Sequence, residues 1–157
     1  MEVVVLKMAN NLAYDRPDWD EYFISIAQEV SKRSTCLRRR YGAIIVNNRR
    51  IVSTGYNGAA RGRLDCLERG DCKRNILNIP SGQQYELCES VHAEANAIIN
   101  GNPLEMQGAD LYIAGFEIDN RIANSHPCVM CERMIRNACI SRVIYLTPDN
   151  KIHVMNI

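Results

Sequence analysis

The sequence predicts an α/β protein, a three-layer α/β/α sandwich built on one mixed central sheet. Two observations predict it. Runs with helical and β character follow one another as helix, hairpin, helix, strand, helix, strand, an order that places helices on both faces of a single sheet. The 157 residues contain no repeat, no low-complexity tract and no Gly/Ser linker, so one domain spanning 1–157 is expected.

Taken in order, residues 1–16 read as an N-terminal extension whose "VVVLKM" has the character of an edge strand. Asp18 then caps a helix to about Arg33, with Trp19, Tyr22, Phe23, Ile26, Ala27 and Val30 at helical spacing. "YGAIIVNNRRIVSTGYN" contains two β-rich runs around the turn residues "NNRR", an antiparallel hairpin. Residues 58–89 carry glycines, a proline and three cysteines without a clear period, and form a long irregular insert; such loops are uncommon unless functional or tied down. A helix is expected over about 91–100, a strand at "ADLYIAGF", a helix at "CVMCERMIRNA" and a strand at "SRVIYLTP". "KIHVMNI" is expected to add an edge strand, and Cys139 is expected in the core.

Composition excludes several classes. The chain is 46% apolar and 24% charged, the balance of a soluble globular protein, and its apolar runs are too short to span a bilayer. A net charge of +1 gives no electrostatic reason to expect a nucleic-acid partner. The start has Glu2 where a secretory signal needs basic residues, so a cytoplasmic location is expected. In that reducing compartment seven cysteines favour metal ligation over disulfides.

Two stretches carry the chemistry. In "VHAEANAII", His92 and Glu94 are two residues apart and would point about 200° from each other on a helix, so they cannot share one core face. At a helix start both can address something at its N-terminus. In "HPCVMCERMI", Pro127 marks a helix start and Cys128 and Cys131, three apart, fall on one side of the first turn, where the helix dipole favours thiolate. One His and two Cys make three zinc ligands and leave a fourth position for water. Glu94 is then placed to carry protons as a general acid and base. H-x-E followed by P-C-x-x-C is the known signature of the zinc-dependent nucleobase deaminases, with the Glu as proton carrier and not ligand.

The likeness extends beyond that motif. "WDEYF", "SKRSTCLRRRYGAIIV", "STGYNG", "IPSGQQYELCESVHAEANAII" and "PCVMCERMIRNACISRVIY" resemble, in order, the deoxycytidylate (dCMP) deaminase family of the cytidine deaminase fold, over roughly residues 18–147. The resemblance implies hydrolysis of dCMP to dUMP with release of ammonia. It places the catalytic zinc on His92, Cys128 and Cys131, the proton shuttle on Glu94, and the backbone of Ala93 at the pyrimidine carbonyl. Asn57 of "GYNG" matches the sugar-contacting loop, and Arg38 of "TCLRRR" a recurrent arginine suited to the 5′-phosphate. Arg39, Arg40, Arg49 and Arg50 are either solvated surface or further phosphate contacts. Members of the family can carry a second, structural zinc, for which Cys36, Cys66, Cys72 and Cys88 are the candidates here; the other reading is reduced, buried cysteines.

The resemblance further implies a homo-oligomer, hexamer or dimer, with dCTP and dTTP as possible effectors at a nucleotide site between subunits involving "GYNG" and nearby arginines. One departure bears on substrate choice: "FEIDNRIANS", residues 116–125, is longer than the family's usual link and lies beside the site. His126 next to the zinc motif could touch substrate. Two rival readings remain open. One is a deaminase of the same fold acting on cytidine, a modified pyrimidine or transfer-RNA adenosine. The other is a non-enzymatic zinc-binding interaction protein, against which Glu94 argues, because a structural zinc needs no such carboxylate.

Overall fold

The computed structural model describes residues 14–157; "VVVLKM" lies outside them. Its main sheet has five strands in the order β2-β1-β5-β6-β7, formed by β1 (Arg39–Asn47), β2 (Arg50–Tyr56), β5 (Asp110–Glu117), β6 (Arg142–Leu146) and β7 (Ile152–Asn156). β5 and β6 run parallel and the other pairs antiparallel, so the sheet is mixed. The hairpin turn places Asn48 and Arg49 at φ 48° and 62°, the left-handed pair that matches the twist of two antiparallel strands.

Strand periodicity builds the three layers. Along β1, Ala43 and Ile45 face one side and Ile44 and Val46 the other; Leu111 and Ile113 alternate likewise with Tyr112 and Ala114 in β5. On one side, Phe23, Ile24 and Ala27 of α1 (Trp19–Ser31) cover Ile44, Val46, Tyr112 and Ile144. On the opposite side lie α4 (Ala93–Asn100) and α6 (Val129–Asn137), contributing Ala93, Ala97, Cys131 and Ile135. Ile44, Ile45, Leu111, Ile113, Ile135 and Ile144 are fully enclosed. Each contributes about 1.5–3 kcal/mol of hydrophobic stabilisation.

Asp18 and Glu21 close α1 with a reciprocal capping box, as the sequence predicts for its start. Its buried face differs from the expected one. Ile24 is buried, whereas Trp19 and Tyr22 are exposed at the helix start, where Arg49 stacks 4.7 Å from the Trp19 ring. Cys139 also departs from expectation: it lies past the end of α6 at φ 58° and is exposed, because the chain turns back there to enter β6.

The insert is less irregular than its composition suggests. It contains β3 (Gly58–Ala59), α2 (Cys66–Arg69), α3 (Lys73–Ile76) and a 3-10 turn (Tyr85–Leu87), and returns through β4 (Ser90–Val91), which pairs with β3. A further short helix, α5 (Pro103–Met106), follows α4.

α4 is fixed on β2 by close approach and hydrogen bonds. The Ser53 hydroxyl donates to the Ala97 carbonyl at 2.7 Å, and Asn96 and Asn100 side chains donate to the carbonyls of Tyr56 and Thr54. Between them Gly55 leaves no room for a Cβ, which would overlap the Ala93 carbonyl and Ala97 amide of α4. Gly55→Ala is therefore expected to cost about 1–3 kcal/mol or more through forced separation of helix and strand. An unchanged thermal midpoint would contradict this packing.

Candidate active site

α4 and α6 bring their N-termini together, and both are capped by a metal-ligand residue type. His92 is the N-cap of α4 in extended backbone, and Cys128 is the N-cap of α6, its Sγ accepting from the Cys131 amide. Cys131 follows within the first turn of α6. The His92 Nδ1 lies 3.6 Å from Cys128 Sγ and 3.4 Å from Cys131 Sγ. Among the described residues these three form the group whose ligand atoms all fall within 4.8 Å of one another.

That spacing fits zinc. With Zn–N of about 2.0 Å and Zn–S of about 2.3 Å in tetrahedral geometry, nitrogen and sulfur ligands stand about 3.5 Å apart. The electrostatics agree. The Cys128 thiol is pulled well down, chiefly by the Cys131 side chain and then by His92, whereas Cys131 is pushed up by Cys128 and by burial. One thiolate is thus already favoured before any ion binds.

Glu94, one residue into α4, is only 6% exposed and lines the cavity beside this group. Burial pushes its carboxyl up, opposed by its own backbone amide and by His92. A carboxyl whose pKa is raised by burial is a better proton carrier than a fully solvated one. Ala93 shares the cavity wall.

The other expected residues converge on the same cavity by different routes. Asn57, between β2 and β3, is buried; its Oδ1 accepts from the Tyr41 amide at 2.7 Å and its Nδ2 donates to the Arg39 carbonyl at 2.8 Å. The amide is locked in orientation and keeps one lone pair and one N–H for other partners. Arg38 lines the cavity and donates through Nη1 to the Ile79 carbonyl at 3.0 Å. The arginines that follow it divide: Arg39 lines the cavity with its Nε on both Glu117 oxygens, while Arg40 turns to Asn120 and the Phe116 ring. Arg49 and Arg50 sit on the hairpin turn, near Trp19 and Glu105.

Cys36, Cys66, Cys72 and Cys88 line another wall of this cavity. The Arg38 amide donates to Cys36 Sγ at 3.4 Å, and the Cys66 thiol is pushed up by burial and then by Cys72 and Cys36 nearby. No three of these sulfurs close to the 4.8 Å spacing of the His92 group. All seven cysteines are free thiols.

Several lining residues escape sequence reasoning. Tyr41 is half-buried in the cavity wall, its hydroxyl donating to the Asn124 carbonyl at 3.0 Å, and its pKa is pushed up to about 12 by burial. Tyr85, from the insert, packs edge-on against the His92 ring at 5.1 Å. Arg74, Ser81, Ser90 and Ser125 complete the wall, and His126, the substrate contact the sequence offers, also lines it. Ser90 stands two residues before His92, and Ser125 and His126 directly before Pro127, so these three are close to a motif in sequence; Arg74, Ser81 and Tyr85 reach the site only when the insert docks.

Comparison with known proteins places this geometry. The sequence model of the family described as the cytidine and deoxycytidylate deaminase zinc-binding region matches residues 17–147. The chain belongs to that family. It is 38% identical over 135 residues to the deoxycytidylate deaminase of Mycobacterium phage D29, covering 83% of this chain and 95% of the phage protein. It is 35% identical to the deoxycytidylate deaminase of Schizosaccharomyces pombe, covering 86% of this chain but 39% of that longer protein. The crystal structure of dCMP deaminase from cyanophage S-TIM5 in complex with dCMP and dUMP superposes with a TM-score of 0.57 at 26% identity, covering 85% of each chain. The fold is thus that of the cytidine deaminases and the family is one of zinc-dependent hydrolases, as expected from the residues. No helix among the described residues is long and apolar enough to cross a membrane.

Proposed function

We propose that this protein hydrolyses dCMP to dUMP with release of ammonia. The observation that carries the reading is the buried Glu94 carboxyl beside a closed His/Cys/Cys group in one cavity, an arrangement a purely structural metal site does not require.

His92, Cys128 and Cys131 would hold zinc, which supplies Lewis-acid activation of the attacking water when bound. Glu94 accepts a proton from that water and passes it to ring N3. Water oxygen bonds to C4, the C4–N4 bond breaks, and Glu94 carries the further proton that lets N4 leave as ammonia. The Ala93 backbone amide is assigned to the pyrimidine carbonyl and Asn57 to the sugar, with Arg38 facing the phosphate side. Tyr85 holds the His92 ring plane by packing, and Tyr41 and Asn57 brace the floor.

Cys36, Cys66, Cys72 and Cys88 are assigned to a second, structural zinc. Their shared wall and the amide donation to Cys36 support this, and closing the sulfurs onto an ion would draw the insert inward. Two zinc ions per chain, falling to one in Cys66→Ser, is the expected stoichiometry. A homo-oligomer, dimer or hexamer, is supported by exposed Ile99, Leu104, Val129 and Met130 on α4, α5 and α6, and dCTP and dTTP are candidate effectors. Hyperbolic dCMP kinetics indifferent to dCTP would count against such regulation. A cytoplasmic setting accords with seven unpaired cysteines.

The deciding assay is ammonia release from dCMP, CMP, deoxycytidine and dCTP by the zinc-loaded protein. The highest kcat/KM is expected with dCMP. Preference for another cytosine compound would move substrate choice to the 116–125 loop; turnover of none would favour the non-enzymatic zinc module.

A further inference from the structure

Neither hydrophobic core cluster includes a residue of the insert 58–89, so its cavity-facing stretch, residues 79–85, depends on other ties. Ser81 to Gln84 are exposed, and among the described residues none of their amides donates to a backbone carbonyl. Cys72 and Cys88 flank the stretch, which has no cysteine of its own; metal on those thiols would fix its ends and not its middle. Its position still shapes the site, because it leads into Tyr85, whose ring packs at 5.1 Å on His92 in the cavity wall. Arg74 ties the stretch within the insert, through the carbonyls of Pro80 and Gln83. Two side chains tie it to β1: Arg38 donates to the Ile79 carbonyl and Arg39 to the Ser81 hydroxyl.

Arg39 is the tie with a fixed anchor. It stands opposite Glu117 in the ladder of β1 and β5, and its Nε donates to both Glu117 oxygens at 2.9 and 3.0 Å while Nη1 donates to Ser81 Oγ at 2.6 Å. Glu117 belongs to a closed hairpin: its amide donates to the Arg121 carbonyl, and the Ala123 amide to the Gly115 carbonyl. That hairpin returns through Ser125 and His126 to the ligand Cys128. One guanidinium therefore joins a strand, the hairpin and the insert where they meet at the cavity. Its planar fork matters here, because pairing Nε with Glu117 sets the direction in which Nη1 can reach Ser81.

We propose that Arg39 is a positioning residue: clasped to Glu117, it holds Ser81 and the Tyr85 wall in place, and so sets substrate affinity without touching the reacting atoms. The inference rests on the dCMP reading above for its substrate. With the clasp broken, the stretch spends part of its time away from the sheet. Only the closed form has the complete cavity, so apparent affinity falls in proportion to the closed fraction. Bound substrate draws the stretch back, which leaves turnover at saturation unchanged.

The test combines steady-state kinetics of the zinc-loaded full chain on dCMP with the rate of chymotrypsin cleavage after Tyr85, read by fragment mass without substrate. Arg39→Gln and Glu117→Gln should each raise KM about three- to tenfold, leave kcat within about twofold, and speed that cleavage by a similar factor. Ser81→Ala should act in the same direction by less, and the Arg39→Gln/Glu117→Gln double variant should do no more than either change alone. Exchanging the charges, Arg39→Glu with Glu117→Arg, should recover much of the affinity, since the Ser81 hydroxyl can donate to a carboxylate as well as accept from a guanidinium. A KM that rises in Arg39→Gln but not in Glu117→Gln overturns the proposal, because Arg39 would then contact substrate directly. A fall in kcat with KM unchanged, or cleavage after Tyr85 at the unaltered rate, overturns it too. The cleavage needs no substrate: faster cleavage in the variants of a protein that does not turn over dCMP supports the clasp and removes the dCMP reading alone.

Discussion

Glu94→Gln is expected to lower ammonia release from dCMP by about 10²–10⁴-fold or more, while the protein keeps its catalytic metal. The substitution preserves shape and removes only the capacity to take and return a proton. Glu94 is a buried residue of the first turn of α4 and is not one of the three clustered ligand groups, so neither the fold nor the metal site should notice the change. Product binding should survive as well. Steady-state kinetics with zinc analysis of the same preparation checks both halves. Turnover close to that of the unaltered protein would remove the proton carrier from the mechanism, and zinc loss would make Glu94 part of the metal site.

The second large effect is expected at Cys131. This side chain is 2% exposed, lies in the core cluster shared with Ile135 and Leu111, and supplies a ligand atom to the His92 group. Cys131→Ala should therefore lose one zinc per chain and all measurable activity. Stability should fall also, because binding energy released on the folded state counts as folding energy, worth about 4 kcal/mol when free metal exceeds its dissociation constant a thousandfold. Differential scanning calorimetry with and without added zinc would show it: the midpoint of the unaltered protein rises with zinc, and that of the variant responds less. Full zinc content in Cys131→Ala would mean that the three groups do not act as one site.

The two predictions differ in what they demand of the chain. His92, Glu94, Cys128 and Cys131 are legible in the sequence because each pair lies within one turn at a helix start, where local geometry fixes relative direction. Their capping positions follow from the same local rules. β1 and β2 are legible for a similar reason, since two β-rich runs flank the turn residues "NNRR", although the register slip at Ile45/Val46 carries no local signal. α5 carries no periodic signal, being four residues long, although Asn102 and Pro103 form its cap and first residue. The buried face of α1 is rotated from the one its spacing predicts, because Trp19 and Tyr22 have apolar bodies whether or not a sheet lies beneath them.

By itself, then, the sequence determined the layer order and the mixed sheet, and it put His92 and Glu94 at one helix start and Cys128 and Cys131 at another; the fold brings the two starts together. Only the tertiary structure decided which of the arginines 38–40 face the cavity, that both ends of the Asn57 amide are held by β1, and that Arg74, Tyr85 and Ser90 stand in the wall beside His92. Those residues reach the site through strand pairing and the docking of the insert across tens of residues. No local pattern encodes that approach; it is set by which surfaces of the folded chain fit together and by the buried charges they must balance.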